Sequence, residues 1–480
     1  MGKDMSPWTV MMSIVLILTP VICWGFTLNA PENRTPLRKI VDVIHKQRYY
    51  LHALGYLIII EWKGITDDLN EPIKAITGHW TSNIHSFEGE IVLFIQDTFA
   101  NPAFTAFLNF HYLFIYLFLI YVTTVFYAYT GERDLCDKVT MNYLLIYALA
   151  VPYYLFFNVE VTSSWIAGMD SLLYHDSMYS SFYIANDPLD NAVPSLHIAI
   201  PFGIIALNWL HVRQLGIKMK DWVHRRYHIF VVVNTLLFAF TILYLGIHWI
   251  TDIPLGLLIG GMGALFIHYL QPRLRNDYGG WFKGVTKQKV KGHLLFEGIV
   301  VLVMVTLISS AVIYQSNSID DRVSLRLGPG DSNIEIIQSI GFDDQVNSTI
   351  TNFDLTQEVE FITIVAQYSE PAMQAGYLNW SIASTLAPVQ TIGPGQEVTV
   401  SFDQPKVYQI IIFHNPGDSG VVDLKVINDY GDDNSMLKAA LLSLPSLWVT
   451  AFVIYRVIRA KSEGIHWLDA SPSHTWKEKE

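Results

Sequence analysis

The sequence predicts an all-α polytopic membrane bundle, a six-helix core plus two further spans, carrying an extracytoplasmic all-β sandwich-like domain. Three observations predict it. Of 480 residues, 51% are hydrophobic and only 15% charged, and the mean hydropathy is +0.31, a balance that ordinary soluble domains rarely show. Eight runs are long and apolar enough to cross a bilayer: 8–26, 105–129, 141–157, 193–210, 229–247, 253–270, 298–314 and 437–455. Between the last two, the chain changes character. Apolar and polar residues alternate in 359–367, 397–402, 408–413 and 421–427, with Gly and Pro between them, as in strands with one buried face.

Taken in order, the first run reads as an anchor, because its apolar stretch is long for a cleaved signal and lacks a small-x-small exit. Ile22 is too large to precede a lipidated cysteine, and Cys23 and Cys136 alone make no disulfide framework. Residues 1–294 then form the membrane core, with an extracytoplasmic interfacial segment at 30–104 that includes an apolar helix-like stretch at 91–99. A transmembrane helix at 295–314, the β domain at 315–435, a last helix at 436–458 and a cytoplasmic tail at 459–480 complete the chain.

Orientation follows from the basic residues. Arg213, Lys218, Lys220, Arg225 and Arg226 fill one loop, and Arg273, Arg275, Lys283, Lys287, Lys289 and Lys291 fill another, so these loops are expected in the cytoplasm. Alternation then puts both termini inside, and residues 158–192, the turn from His248 to Asp252 and the β domain outside. Residues 158–192 contain no Lys or Arg. Asn33, Asn347 and Asn379, each in an N-x-Ser/Thr context, are expected on that same outer side.

The net charge is -12, and residues 320–433, with 17 acidic and 4 basic side chains, account for all of it. Such a module excludes nucleic acid and anionic lipid surfaces as partners, since both require basic patches.

The chemistry gathers at the outer ends of adjoining spans. Pro194, Ser195 and His197 open the fourth span, while His248 and Asp252 bracket the turn between the fifth and sixth. Ionisable groups at the mouth of a bundle are candidates for function. A histidine held by a carboxylate suits attack on phosphorus, a second histidine suits protonation of the leaving oxygen, and a hydroxyl with helix-start N–H groups suits phosphate. With 16 histidines an H-x-x-x-D spacing is common by chance; P-S-x-H is rarer, and the two lie at one level.

Val193-Pro-Ser-Leu-His197 and Tyr244-Leu-Gly-Ile-His-Trp-Ile-Thr-Asp252 resemble the second and third signatures of the type 2 phosphatidic acid phosphatase superfamily. Leu196 makes the first resemble the branch that contains fungal inositol phosphorylceramide synthase, and the six spans over 8–270 resemble the superfamily's six-helix core. The resemblance implies His248 as nucleophile, Asp252 as its orienter, His197 as general acid and Ser195 as a phosphate ligand, with no metal and no organic cofactor. Two features depart from it: the arginine expected six residues before His248 is Ile242, and the first signature, K-x-x-x-x-x-x-R-P, is missing.

Because buried phosphate needs positive partners, Lys63 and Arg48 are the substitutes that the sequence offers. His111, Tyr112 and Tyr116 read as packing and interface residues, and the glycines of 256–263 as close helix packing. The function expected is a lipid phosphatase or phosphotransferase acting through a phosphohistidine on a phospholipid or polyprenyl-phosphate substrate within the membrane, leaning to headgroup transfer. The alternative is a non-catalytic receptor or scaffold whose β domain binds a partner of unknown identity.

Overall fold

Long apolar runs in a bilayer must satisfy their own backbone, so they fold as helices. The computed structural model describes residues 7–174, 191–276, 286–316, 323–337, 346–374, 377–403, 409–429, 435–464 and 466. The first helices are α1 (Pro7–Phe26), α2 (Tyr50–Asp68), α3 (Asn70–Thr77), α4 (Thr81–Glu88) and α5 (Ile91–Phe99). They are followed by α6 (Pro102–Tyr129), α7 (Arg133–Phe156), α8 (Leu196–Gln214), α9 (Arg225–Tyr244), α10 (Asp252–Asn276), α11 (Lys287–Ser316) and α12 (Ser435–Ser462). Seven of these, α6 to α12, are long and apolar enough to cross a membrane, as an integral membrane protein requires, and α1 adds a shorter apolar stretch, Met11–Phe26.

Local chemistry sets the helix ends. Asn101 caps α6, its side chain accepting from Phe104 N, with Pro102 in the first turn. Helix α7 begins two turns before the expected 141, because Arg133–Asp137 (2.7 Å) and Lys138–Asp134 (2.6 Å) pair at four-residue spacing and extend it.

The segment 30–104 departs from expectation. Rather than lying wholly at one interface, it contains α2, which runs the length of the bundle beside α7. His52 Nε2 meets Asp137 at the start of α7 (2.9 Å), and the Tyr56 hydroxyl donates to Ile120 O (2.8 Å). At the far end Leu69 and Ile73 pack with Tyr154 and Phe156. Among the described residues up to Asn276, α1 and α2 thus lie beside the five apolar helices α6 to α10, seven long helices where six are expected. Four charges, Glu61, Lys63, Asp67 and Asp68, interrupt the apolar pattern of α2 and hide it in the sequence.

With α2 running along the flank of the bundle beside α7, α1 runs the other way. Its last residue, Phe26, packs edge-on to Tyr227 at the start of α9 (5.1 Å), and Thr35 N donates to Tyr129 O (2.8 Å) at the end of α6. Both partners lie at the end of the bundle that carries the basic loops. The start of α1 thus lies at the opposite end, whereas the N-terminus is expected on the same side as the basic loops. Asn33 follows α1 to the basic end and does not share a side with Asn347 and Asn379 of the β domain.

The C-terminal part holds a separate β region. Strands β1 (Val323–Leu327), β2 (Ser332–Ile337), β3 (Val346–Asn352), β4 (Val359–Val365), β5 (Met373–Gln374), β6 (Tyr377–Leu378), β7 (Gln390–Ile392), β8 (Glu397–Phe402), β9 (Gln409–His414) and β10 (Val422–Asp429) are all antiparallel in their pairings. Two four-stranded sheets, β1-β10-β3-β8 and β2-β9-β4-β7, enclose one core that includes Phe361, Phe413, Ile350 and Leu424. The outer face of β4 and β9 is also covered, by the short helix Trp380–Leu386, which is why β9 is apolar almost throughout. Tyr408, expected to begin that strand, lies outside the described residues.

Two outcomes are expected. With the native cysteines buried, Lys39→Cys and Phe87→Cys should label from opposite sides of intact vesicles; labelling of both by one impermeant reagent from one side would overturn the placement of α2. Phe413→Ala, which empties a fully buried site 6.1 Å from the Phe361 ring, should cost the sandwich about 3–5 kcal/mol, read by pulse proteolysis.

Candidate functional site

Helix α8 can begin only after Pro194, so Ser195 becomes its N-cap, in extended conformation and with no cap bond from its own side chain. The hydroxyl turns instead to His248, with Oγ 3.4 Å from Nε2. Ile198 N and Ala199 N return to Ser195 O, and the N–H groups of Leu196 and His197 have no partner among the described residues. Helix-start N–H groups without intrahelical partners, beside a hydroxyl, are groups that can bind an oxyanion.

His248 lies on a tight turn between α9 and α10. Its N–H donates to Ile242 O (3.1 Å), and its Nδ1 is 2.8 Å from Asp252 Oδ2, which also accepts from Trp249 N (2.9 Å). Asp252 is fully buried, so its oxygen is fixed by these donors. A proton on Nδ1 directed at Asp252 leaves the lone pair of Nε2 facing Ser195. Gly246 makes the turn possible: its φ is +79°, and a Cβ there would lie 2.8 Å from Asp170 O.

His197, in the first turn of α8, has its ring centroid 6.3 Å from that of His248. Tyr112 and Tyr116 lie on it, each with a 3.9 Å centroid separation. A π-type turn at His111–Ile115 in α6 brings both tyrosines to this position. The two tyrosines thus serve the site rather than the membrane interface. His111 is a core histidine, its Nε2 3.0 Å from Asn234 Oδ1.

Helices α3 to α5 cover this end of the bundle and carry contacts that the sequence did not reveal. The Glu88 carboxylate, at the end of α4, accepts from Ile250 N (2.8 Å), Thr251 N (2.6 Å) and the Thr251 hydroxyl, holding the turn from outside. Gln96 of α5 donates to Tyr244 O (2.9 Å) and Asp170 O (3.0 Å) and accepts from Asp170 N (2.7 Å). Trp249 is fully buried and donates from Nε1 to Glu160 O (2.8 Å). Burial lifts the Glu160 carboxyl above its ordinary range against the pull of Lys74, and burial together with that lysine holds His79 down to about 4. No spacing rule links Glu88 or Gln96 to the motifs, which lie about 97–164 residues further along the chain.

Ser195, His197, His248 and Asp252 are thus brought together. Lys63 forms an ion pair with Asp67 on its own helix (2.5 Å). Arg48 is corrected: it lines a cavity with Arg133 and Gln271 at the basic end, a helix length from Ser195, because α2 carries it there. Ile242, where an arginine was expected, has a fully buried side chain.

Residues 163–276 match the family model of the PAP2 superfamily, a stretch that spans α8, α9 and α10 and contains all four of these side chains. The match supports the type 2 phosphatidic acid phosphatase superfamily, whose members are generally phosphatases. No curated protein and no solved structure matches the chain.

Glu88→Ala leaves two half-buried N–H groups without their acceptor, and Glu88→Gln keeps an acceptor oxygen. A displacement of the turn by about 1 Å can cost on the order of 10²-fold. Activity is expected to fall toward that limit in the alanine variant, largely in kcat, and to recover partly in the glutamine variant; wild-type kcat in Glu88→Ala would show that the turn holds itself.

Proposed function

We propose that this chain is an integral membrane lipid phosphatase/phosphotransferase working through a phosphohistidine at His248, on a phospholipid or polyprenyl-phosphate type substrate. The observation that carries the reading is the line Asp252–His248–Ser195, with the His197 ring 6.3 Å from that of His248, centroid to centroid.

In the first step the Nε2 lone pair of His248 forms a bond to phosphorus as the bond from phosphorus to the leaving oxygen breaks. His197 donates its proton to that oxygen. The positive charge developing on His248 is offset by Asp252 through the Nδ1 proton, while Ser195 and the N–H groups of Leu196 and His197 hold the phosphoryl oxygens. In the second step His197 takes a proton from water or an alcohol, whose oxygen bonds to phosphorus while the bond from nitrogen to phosphorus breaks. Lys63 supplies positive charge to the phosphate by exchanging Asp67 for it.

Transfer to an alcohol is favoured over hydrolysis on electrostatic grounds. Two carboxylates hold the turn, Asp252 at its end and Glu88 from α4, and the expected arginine is Ile242, so a phosphomonoester dianion meets little compensation. A phosphodiester carries one charge fewer, and its headgroup offers further contacts. The bundle end that holds the site is extracytoplasmic in this reading, together with the β domain, since the opposite end carries the basic loops.

Purified enzyme in lipid, given a labelled phospholipid donor, should form a new labelled lipid only when membrane alcohols are added. His248→Ala should abolish turnover, and His197→Ala should slow it by about 10²- to 10⁴-fold while an acid-labile phosphoprotein accumulates. Phosphate release at a rate indifferent to acceptor would establish hydrolysis instead. Turnover surviving in His248→Ala would end the phosphohistidine mechanism.

A further inference from the structure

At the basic end, far from the site just described, a cavity of about 360 Å³ lies between α2, α7 and α10. Its polar wall is Arg48, His52, Arg133, Asp137 and Gln271. The carboxylate among them is already engaged: Asp137 Oδ1 meets His52 Nε2 (2.9 Å) and Arg133 Nε (2.7 Å), and Oδ2 accepts from Gln271 Nε2 (3.4 Å). Arg133 Nη1, a buried donor, and Gln271 Oε1, a buried acceptor on a side chain that is 1% exposed, have no hydrogen-bond partner among the described residues. Buried polar groups in native proteins nearly always have partners, so a donor and an acceptor left open on one cavity point to a ligand that offers both.

The sign of that ligand follows from the cations. The wall holds two guanidinium groups, Arg48 and Arg133, and one carboxylate, Asp137, so it carries an excess positive charge. Arg133 is held over the Tyr49 ring at 4.8 Å, which fixes the direction of its fork. Arg48 has a φ of +54°, a left-handed conformation that glycine or asparagine adopts at less cost, so its side chain has a use that its backbone does not explain. The opposite wall is apolar, formed by Leu51, Met141 and Leu144, and α2 continues outward with exposed Leu54 and Leu57. An anionic group with adjoining hydroxyls fits the polar wall, and hydrocarbon chains fit the apolar one.

We propose that this cavity binds the headgroup of an anionic phospholipid, its phosphate on Arg48 and Arg133 and a headgroup hydroxyl on Gln271 Oε1, with the acyl chains along α2. The site is separate from the phosphoryl-transfer centre and does not depend on it.

The test uses the full chain carrying His248→Ala, so that no lipid is turned over, purified in detergent micelles and titrated while its thermal unfolding is followed. Dioleoylphosphatidylglycerol should raise the unfolding temperature saturably, and dioleoylphosphatidylcholine should not. Arg48→Gln removes one phosphate contact, and Leu144→Trp fills the apolar half without touching a charge; each should weaken the apparent affinity about tenfold or more. Equal affinity in the parent and both variants, or an equal response to phosphatidylcholine, would overturn the proposal. The same saturable rise with glycerol 3-phosphate alone would overturn the lipid assignment in favour of a soluble phosphate.

Discussion

The close approach of α8 and α10 is the constraint on which the rest depends. A Cβ at Gly256 would lie 2.8 Å from Ser195 O and 3.0 Å from Ile198 Cβ, and one at Gly260 would collide with the Ala199 carbonyl. Only a helix face without side chains can come this near. Because the two helices touch at their starts, Ser195 and His248 meet although 53 residues separate them. Gly203 and Gly263 extend the same economy one layer further in, where both lie against the Asn142 side chain of α7.

Around that contact, the turn before α10 is held from two sides by two carboxylates. Asp252 takes the Trp249 N–H and the His248 ring from within, and Glu88 takes the next two N–H groups from the covering layer. The backbone N–H groups of the turn are therefore occupied, whereas those of Leu196 and His197 at the start of α8 have no partner among the described residues. Through Glu88 the covering layer α3 to α5 sets the turn's position.

The remaining parts are joined to this core by side contacts rather than by the site. Helix α12 lies along α7, with Ser446 Oγ donating to Leu149 O (3.0 Å), and α11 packs on α12 through Val301, Leu447 and Ala451. Between them the chain builds a sandwich whose inner core is made by its own two sheets, so its stability rests on its own residues. The excess of acidic side chains in residues 320–433 lies on this module and is consistent with a solvated surface.

Hydropathy and spacing by themselves determined the apolar helices α6 to α12, the strand pattern of β4, β8, β9 and β10, and the residues Ser195, His197, His248 and Asp252, because each is written in contiguous residues. Strands β1, β2, β3 and β7 are short or polar-edged and escaped that pattern. Helix α2 escaped it too, since its charges break the apolar run, while contacts with α7 such as His52–Asp137 place it along the flank of the bundle. With α2 misplaced, α1 was turned the wrong way and Arg48 was sent to the wrong end. Only the tertiary structure decided that Tyr112 and Tyr116 flank His197 and that Glu88 holds the turn, because each contact joins residues on separate helices. Periodicity reports which face of a helix is buried, and it carries no information about which distant side chain that face will meet.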